Sequence, residues 1–525
     1  MCKQVRGAVP GFPSKTPGTK AAYLAAFDTF AGSGVLNFQL VDLSNFGSLR
    51  CTAIEDVLRN SMFSFRSRRA WLVGGRNLVS PPVRVYSRYA CISLLLVLVS
   101  VGLAWTKPKK TPAEPSESLV AIGDVHGDFD DFVAILQHIG LIDKQNHWTG
   151  GKTTFVQVGD LLDRGPKPRE VMDLMMGLEK EAGQAGGRVV SLLGNHEMMN
   201  MMGDLRYVTP MNFASFADVN SETRQKSAYG EYVKWRNKHP DLIAELSQPM
   251  ELTETEWMAR HPRGFVEQRE AFSPKGEYGK WLRGHNALAE IGEEIFLHGG
   301  IHPDLAKMKI DALNSQIHDE IRAFDEVKQY LQDEGVILAF FNMQEITNAA
   351  QAEIIVERKS LVAANEERQG KILEFLKYGG WLSVKPDGPL WFRGYDQWSD
   401  EEGGARIGKV LEAYKVAHIV VGHTVQRSAR IRSRFGDKVF LIDTGMLSSY
   451  YPGGRASALE ICDDTKFTAK YTDEQVVLIN SAASSPGKVG SGTPADVKDA
   501  TKVSEKPAAL TAVGSICSAT APPPQ

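Results

Sequence analysis

SLVAIGDVHGD, the stretch from Ser118 to Asp128, places an apolar run directly before a glycine, an aspartate and a histidine. The apolar run predicts a buried β-strand, and the segment after it, DFDDFVAILQHIG, predicts a helix. The same design returns in TTFVQVGDLLDRG and in RVVSLLGNHE. Strands that alternate with helices pair in parallel through right-handed crossovers. The sequence therefore predicts an α/β fold.

Two later stretches end in the same way, with polar residues after an apolar run. EEIFLHGG carries His298 and AHIVVGHT carries His423, while KVFLIDTG closes the series with Asp443. A single such stretch is accounted for by an ordinary surface turn. In open α/β sheets, however, ligands bind beyond the carboxyl ends of the strands. The repetition therefore predicts that these side chains form one shared site.

The side chains at the strand ends are of the kinds that bind divalent metal ions. Carboxylates, imidazoles and a carboxamide suit Mn, Fe or Zn, and no CxxC pair is present to form a cysteine-based structural zinc site. The ligands are too many for one ion, so we expect two divalent ions about 3.5–4 Å apart, bridged by one carboxylate. Such a pair converts a bridging water into hydroxide and holds a phosphoryl group for in-line attack.

Two arginines near these stretches are candidates for holding a phosphate. Arg164 follows Asp163 in GDLLDRG, and Arg393 lies in GPLWFRGY. Guanidinium groups bind phosphate oxygens in a bidentate manner. For Arg393 a structural ion pair is the alternative.

Composition limits the class of protein. The chain has 525 residues, 23% of them charged and 43% hydrophobic, with a formal net charge of -3. These values are ordinary for a soluble enzyme. Without a strong positive field, nucleic acid is not expected as a partner.

The chain divides into five predicted regions. Residues 1–88 are a poorly structured basic region, 89–105 an apolar signal or transmembrane segment, and 106–117 a polar linker. Residues 118–480 are the folded catalytic domain, and 481–525 a disordered tail rich in Ala, Ser, Gly and Pro.

The apolar segment 89–105 bears on the location of the protein. Arginines before it outnumber the lysines after it, which places the folded domain on the non-cytoplasmic side, either membrane-anchored or exported. A buried core helix is the structural alternative for this segment. An organelle transit segment or a cytoplasmic location are the alternatives for the whole chain.

In this order, GDVHG, GDLLDRG, GNHE, HGG and GHT resemble the calcineurin-like metallophosphoesterases. The DRG and GNHE forms resemble the phosphoprotein phosphatase branch of that superfamily. WLRGHNALAEIGEEIFLHGGIHPDL, GPLWFRGYD and IDTGM are most similar to the Shewanella-like protein phosphatases. The resemblance spans about Leu119 to Ile461 and implies a sheet sandwich flanked by helices.

The resemblance also implies a role for each polar residue. Asp124 and His126 would hold one ion, Asn195, His298 and His423 the other, and Asp160 would bridge the two. His196, paired with Asp163, would protonate the leaving oxygen while Arg164 and Arg393 grip the phosphate. A positioned imidazole of this kind is a suitable general acid.

Two insertions depart from the compact phosphatases of this branch. About a hundred residues separate GNHE from HGG, and a second insertion runs from about Lys307 to Leu382 with two long predicted helices. We expect these helices to form a cap or rim around the site. The insertions leave the identity of the substrate undecided, but they do not change the predicted chemistry.

Three functions follow from this reading. The first is a phosphomonoesterase that acts on phosphorylated proteins. The second is a hydrolase of small phosphoesters, such as a symmetrical dinucleoside tetraphosphatase, although Asp163 and Glu197 argue against it. The third is a membrane-tethered binding protein with an inactive site, against which the complete ligand set argues.

Overall fold

The computed structural model describes residues 118–246, 252–359 and 365–481. The predicted regions 1–88, 89–105 and 106–117 lie outside the described residues, as does the tail from residue 482. The membrane or signal segment, the domain limits and the location of the protein therefore stay predictions. Within the described ranges, no helix has the length and apolar character needed to cross a membrane.

The first sheet has six strands in the order β11-β10-β9-β1-β2-β3. Its strands are β1 (Leu119–Ile122), β2 (Thr154–Gln157), β3 (Arg188–Ser191), β9 (Ser457–Cys462), β10 (Lys466–Tyr471) and β11 (Gln475–Asn480). β1, β2 and β3 pair in parallel, as the crossover design predicts. β9 runs antiparallel to β1, and β10 and β11 extend the sheet from it.

The second sheet has five strands in the order β4-β5-β6-β8-β7. They are β4 (Leu288–Ile291), β5 (Glu294–Leu297), β6 (His418–Val421), β7 (Arg432–Arg434) and β8 (Val439–Leu441). β5, β6 and β8 pair in parallel, and the antiparallel strands β4 and β7 lie at the edges. The three stretches that end in His298, His423 and Asp443 therefore lie side by side.

An apolar layer joins the two sheets face to face. Ala121 and Val156 of the first sheet share one buried cluster with Phe296 and Val420 of the second. The neighbouring residues of each strand point to the opposite side, because side chains alternate along a strand. They belong to a second cluster that includes the helices. The predicted sheet sandwich flanked by helices is confirmed.

Three helices begin close to the strand ends of the first sheet. They are α1 (Phe129–His138), α2 (Pro168–Ala185) and α3 (Asn195–Met202). Asp128 caps α1 by accepting a hydrogen bond from the backbone N–H of Asp131, and α2 has proline at its first position, where no N–H partner is needed. α3 begins at Asn195 itself, so the GNHE motif forms the first turn of a helix.

The described part of the first insertion contains six helices, which pack around aromatic side chains. They are α4 (Pro210–Phe216), α5 (Ser221–Lys238), α6 (Pro240–Glu245), α7 (Glu254–Arg260), α8 (Phe265–Ala271) and α9 (Glu277–Leu282). Tyr232 and Trp257 are buried at its centre, with ring centroids 6.0 Å apart.

The second insertion contains α10 (Ile310–Asp333), α11 (Met343–Lys359) and α12 (Glu366–Phe375). The first predicted long helix is confirmed by α10. The second is described as α11 and α12, on either side of residues 360–364, which lie outside the described residues. Trp235 of α5 donates a hydrogen bond to the carbonyl of Val336, so the two insertions pack together. Beyond them, α13 (Gly394–Gln397) and α14 (Asp400–Tyr414) lead to β6.

Candidate metal centre

The predicted metal-binding side chains are all buried and lie in the loops after β1, β2, β3, β5 and β6. Backbone hydrogen bonds tie these loops together. Val125 and His126 donate their N–H groups to the carbonyl of Asp160, and Gly422 donates to the carbonyl of His298. The carboxyl ends of both sheets therefore meet at one point, as the sequence predicts.

Asp160 stands at the middle of the group. Its Oδ2 lies 3.2 Å from Nε2 of His298, 3.6 Å from Nε2 of His126 and 3.7 Å from Nε2 of His196. Its Oδ1 accepts the backbone N–H of His196 at 3.0 Å. One carboxylate oxygen thus lies near imidazoles from three segments, and two of them, His126 and His298, are the residues that the resemblance assigns to different ions.

A second set of donor atoms surrounds His298. Its Nε2 lies 2.9 Å from Oδ1 of Asn195 and 3.0 Å from Nδ1 of His423. Ligand atoms of Asp160, His298 and His423 all lie within 4.8 Å of one another. This group contains the nitrogen and oxygen donors that the resemblance assigns to one ion.

Asp124 lies between this group and β8. Its Oδ1 accepts the backbone N–H of His423, and its Oδ2 lies 3.7 Å from Nε2 of His126. Burial raises its pKa well above the ordinary value, and the charges of Asp443 and Asp160 raise it further. Crowded buried carboxylates of this kind favour a bound cation.

Backbone carbonyls determine which nitrogen of each imidazole faces the centre. A carbonyl can only accept, so the ring nitrogen beside it carries the proton and the other nitrogen keeps its lone pair. The three pairs are His126 Nδ1 with Leu162 O at 2.8 Å, His298 Nδ1 with Val158 O at 3.1 Å and His423 Nε2 with Trp391 O at 3.1 Å. The other ring nitrogens face the donor group around Asp160.

The protonation states also suit metal binding. Burial lowers the pKa of His126, as does the charge of His196 beside it. Burial also lowers the pKa of His423, with His298 adding to the effect. For Asp160 burial acts to raise the pKa, but His298 and His196 outweigh it and hold the pKa well below its usual range. Neutral imidazoles and an ionised carboxylate are the forms that coordinate metals.

Close packing leaves space for glycine alone at two points of the centre. A Cβ on Gly194 would meet Oδ1 of Asp160, and one on Gly422 would meet Oδ1 of Asp124. The donor residues themselves show strain, because five residues of the site have left-handed backbone. They are His126 (φ 49°), Asp160 (φ 57°), Asp163 (φ 66°), Arg164 (φ 64°) and His423 (φ 65°). Strain of this kind concentrates at functional sites.

His196 and Asp163 form a buried pair beside the centre. Nδ1 of His196 lies 2.6 Å from Oδ2 of Asp163, and Asn200 donates a hydrogen bond to the other carboxylate oxygen. Burial acts to lower the pKa of His196, but Asp160 and Asp163 raise it above the ordinary value. His126, Asp160 and His196 also have ligand atoms within 4.8 Å of one another, so distance alone does not exclude His196 from a metal group.

The two predicted phosphate-binding arginines both reach the centre. The guanidinium of Arg164 contacts Nε2 of His126, lies 3.1 Å from Nε2 of His196 and donates to the hydroxyl of Tyr451 at 2.6 Å. Arg393 is exposed and donates to the carbonyl of His423 at 2.9 Å. In the described residues Arg393 forms no ion pair, and the same nitrogen also donates to Oγ1 of Thr424 at 3.1 Å.

Sequence reasoning gave no role to several residues that support the site. Glu197 is fully buried and accepts the backbone N–H groups of Asp160, Leu161 and Gly194, each at 2.8 Å. It thereby holds the loop of Asp160 against the start of α3. The sequence signal for Glu197 was its place beside His196 in the GNHE motif. The motif alone does not show that the carboxylate accepts hydrogen bonds from backbone N–H groups.

Asp443 is the second such residue. It ends the series of strand-end residues and is buried, with one carboxylate oxygen bonded to the N–H of Gly445. The other oxygen, Oδ2, has no hydrogen-bond partner among the described residues. Burial raises the pKa of Asp443 to about 6. Asp443 thus places a second buried carboxyl group beside Asp124, where cations are expected.

A two-sheet α/β sandwich with carboxylate, imidazole and amide donors at its strand ends is suited to metal-assisted hydrolysis. Residues 118–427 match the family described as Calcineurin-like phosphoesterase, and the chain belongs to that family. It is therefore a metallophosphoesterase, and two divalent ions are the cofactors that members of this family use.

Several known proteins are similar to this chain. Shewanella-like protein phosphatase 2 of Arabidopsis thaliana is 33% identical over 41% of this chain and 54% of its own length. Shewanella-like protein phosphatase 1 of Plasmodium berghei is 26% identical over 67% of this chain and 73% of its own length. The chain thus spans about half of the first relative and about three quarters of the second.

Among solved structures, a cold-active protein tyrosine phosphatase is 22% identical with a TM-score of 0.45, over 70% of this chain and 80% of that one.

Proposed function

We propose that this chain is a di-metal phosphomonoesterase that acts on phosphorylated proteins. The observation that carries the proposal is the position of Asp160, whose Oδ2 faces three imidazole nitrogens from separate loops. Asp124 and His126 complete the first metal site with Asp160. Asn195, His298 and His423 complete the second. When bound, the two ions supply a nucleophile for attack on phosphorus and neutralise charge on the phosphoryl oxygens.

The donor set supports Mn, Fe or Zn as the metal. Nitrogen and oxygen donors are combined in each group, which suits borderline divalent ions. The carbonyls behind His126, His298 and His423 orient the rings and raise their basicity.

The proton for the leaving group comes from His196. Asp163 holds Nδ1 and orients the ring, so Nε2 faces the centre next to Arg164. A positioned imidazole that gives its proton to the departing oxygen contributes about 10²–10⁴-fold to the rate. We assign His196 to this role because its second nitrogen is bonded to a carboxylate, whereas the three proposed metal-binding imidazoles are bonded to carbonyls.

Arg164 and Arg393 hold the phosphate from two loops. Arg164 is fixed by the hydroxyl of Tyr451 and stacks near the rings of Tyr207 and Tyr450. Arg393 is fixed by the carbonyl of His423. Both guanidinium groups keep free N–H donors for phosphate oxygens.

A cavity beside the centre supports a protein substrate. Its volume is about 590 Å³, and it is lined by Met198, Met199, Met202, Leu205, Tyr378 and Trp391 among others. Met199 is bonded to the amide of Asn195, and the carbonyl of Trp391 is bonded to His423. An adaptable apolar surface so close to the phosphate position suits the side chains that flank a phosphorylated residue.

The test is a comparison of substrates on the full chain. We expect turnover of phosphopeptides with Mn²⁺, abolition by chelator, and recovery when Mn²⁺ is restored. A symmetrical dinucleoside tetraphosphate and p-nitrophenyl phosphate serve as the small-molecule arm, and D160N measures the background. A higher kcat/KM for the dinucleotide would overturn the protein substrate, and activity that persists without metal would overturn the mechanism.

A further inference from the structure

A second cavity lies between the two insertions, away from the metal centre. Its volume is about 420 Å³. Its lining includes Val266 and Arg269 of α8, Lys328 of α10, and Phe340 in the loop after α10. The lining combines aliphatic and aromatic carbon with three cationic and three acidic side chains, and of the three cations Lys328 and Arg269 are buried. Nothing in the proposed reaction uses this cavity.

Lys328 is the first unusual feature of the cavity. Its side chain is only 7% exposed, and among the described residues its ammonium forms no hydrogen bond and no ion pair within 4 Å. Burial of an unpaired charge is costly, and native proteins pair or neutralise such groups. Lys328 therefore has no directly bonded counter-charge among the described residues.

Arg269 is the second unusual feature. It is 2% exposed and donates a hydrogen bond from one terminal nitrogen to the carbonyl of Asn200 at 2.7 Å. Its Nε is buried and has no hydrogen-bond partner in the described part of the chain. A guanidinium has five N–H donors, so most of its capacity is unused.

The neighbouring acids do not balance these two cations. Asp325 lines the cavity, but both of its oxygens accept hydrogen bonds at 2.7 Å from Arg283. Glu231 and Glu270 lie exposed at the rim. Burial lowers the pKa of Lys328 to about 7, the charge of Arg269 lowers it further, and the charge of Asp325 acts in the opposite direction.

We propose that this cavity binds a small organic anion whose carboxylate or phosphate lies between Lys328 and Arg269. The apolar body of the ligand packs on Phe340 and Val266. A volume of about 420 Å³ matches a molecule of metabolite size. The anion supplies a counter-charge and a hydrogen-bond acceptor for Nζ of Lys328, and its charge is attracted by the guanidinium of Arg269.

The cavity is connected to the metal centre through α3. Arg269 donates to the carbonyl of Asn200, and the amide of Asn200 donates to Asp163, the partner of His196. An anion that engages Arg269 changes the support of Asn200 and hence the position of Asp163. This coupling rests on the proposed function, whereas binding itself does not.

The binding experiment uses the metal-loaded full chain and calorimetry. The probes are phenylacetate, phenylphosphonate and, as the uncharged control, phenylacetamide. The phosphonate arm is repeated on D160N to remove binding at the metal centre. We expect an anion to bind, and K328M to weaken it about tenfold or more, the equivalent of one charge-assisted hydrogen bond.

Matched variants make the result specific. K328R keeps the charge and should retain binding, and K409M removes an exposed lysine of α14 and should change nothing. If neither anion binds better than phenylacetamide, or if K328M leaves the affinity unchanged, the proposal is overturned. Preference for phenylacetate or phenylphosphonate distinguishes a carboxylate ligand from a phosphate ligand.

Two further readouts follow. Without ligand, K328M should melt at a higher temperature than the parent chain, because an unpaired buried charge has been replaced by an apolar side chain. A lower melting temperature would mean that Lys328 already has its counter-charge in the fold, which would overturn the proposal.

The coupling between the cavity and the metal centre is tested by kinetics. Saturating anion should change kcat for an alkyl phosphate more than for p-nitrophenyl phosphate, and equal kcat values with and without anion would refute the coupling.

Discussion

The metal centre and the cavity between α8 and α10 both bury charged side chains, but with opposite signs. Around Asp160, imidazoles surround the carboxylate, and the remaining excess is negative through Asp124 and Asp443. In the cavity, Lys328 and Arg269 leave an excess of positive charge. The sign of the unbalanced buried charge therefore indicates the ligand class, with cations expected at the first site and an anion at the second.

The two regions also differ in how they are held. The donors of the centre are fixed by backbone carbonyls and by Glu197, which accepts three backbone N–H groups. Lys328 has no comparable support among the described residues. Loss of a charge should thus be harmful in the first region and stabilising in the second.

The largest effect is expected for D160N. The variant keeps the shape of Asp160 but removes the charge that faces three imidazoles, so both metal sites should be lost and activity should fall to background. Metal content per chain and kcat on a phosphopeptide are the measurements. D130N, which changes an exposed aspartate of α1, is the control. Full metal content in D160N would contradict the bridging role.

His196→Asn should slow the reaction while the metals remain. The kcat for an alkyl phosphate should fall about 10²–10⁴-fold, the range for loss of a general acid. The loss should be smaller for p-nitrophenyl phosphate, whose leaving group needs no proton. H147N changes an exposed histidine and should leave both rates unchanged. If H196N lost its metals instead, His196 would belong to a metal site, as its distance to Asp160 permits.

Glu197→Gln tests the support of Asp160 rather than the ligand itself. An amide oxygen cannot accept three backbone N–H groups as the carboxylate does, so the loop of Asp160 should loosen. We expect metal affinity to fall about 10–100-fold, as for other groups that orient ligands. Titration with Mn²⁺ measures this, and E290Q, an exposed change on β4, is the control. An unchanged affinity for Mn²⁺ would show that the loop of Asp160 keeps its position without the carboxylate of Glu197.

The smallest effect concerns the buried carboxyl group of Glu294. Both of its carboxylate oxygens are buried and lack hydrogen-bond partners among the described residues. Burial raises its pKa from 4.5 to about 8, with Asp464 adding to the rise. Between these two pKa values the unfolded chain loses the proton and the folded chain keeps it, so this group makes stability fall as pH rises.

Glu294→Gln should remove that decline. Denaturant unfolding at several pH values between about 4.5 and 8 measures it, with E412Q, an exposed change on α14, as control. A variant whose stability falls with pH as steeply as that of the parent would show that Glu294 ionises freely in the fold.

Much of the fold could be predicted from local patterns. The short apolar runs before Asp124, Asp160 and Asn195 are strands, and they pair in parallel as expected. The antiparallel strands β7 and β9 to β11 were not predicted, because no polar motif follows them and their pairing joins distant parts of the chain. The long predicted helix of the second insertion is present as α10 because its apolar residues recur at helical spacing.

The candidate site, like the fold, could be predicted in part from the sequence. The convergence of the predicted donors on one point followed from the rule that parallel strands end together, and the structure places all of them there. The support from Glu197, Asn200 and Tyr451 could not be predicted, since each depends on a hydrogen bond to a group far away in the chain. Sequence spacing also could not show that His196 is bonded to a carboxylate, whereas the proposed metal-binding histidines are bonded to backbone carbonyls.

By itself the sequence determined the kind of fold, the parallel strands that carry the site and the donors that follow them. These are local properties, because an apolar run, a glycine and a polar residue act on the backbone next to them. Only the tertiary structure decided which carbonyl orients each imidazole, and that Lys328 is buried without a partner. Burial and pairing depend on contacts between distant segments, and no local pattern encodes those contacts.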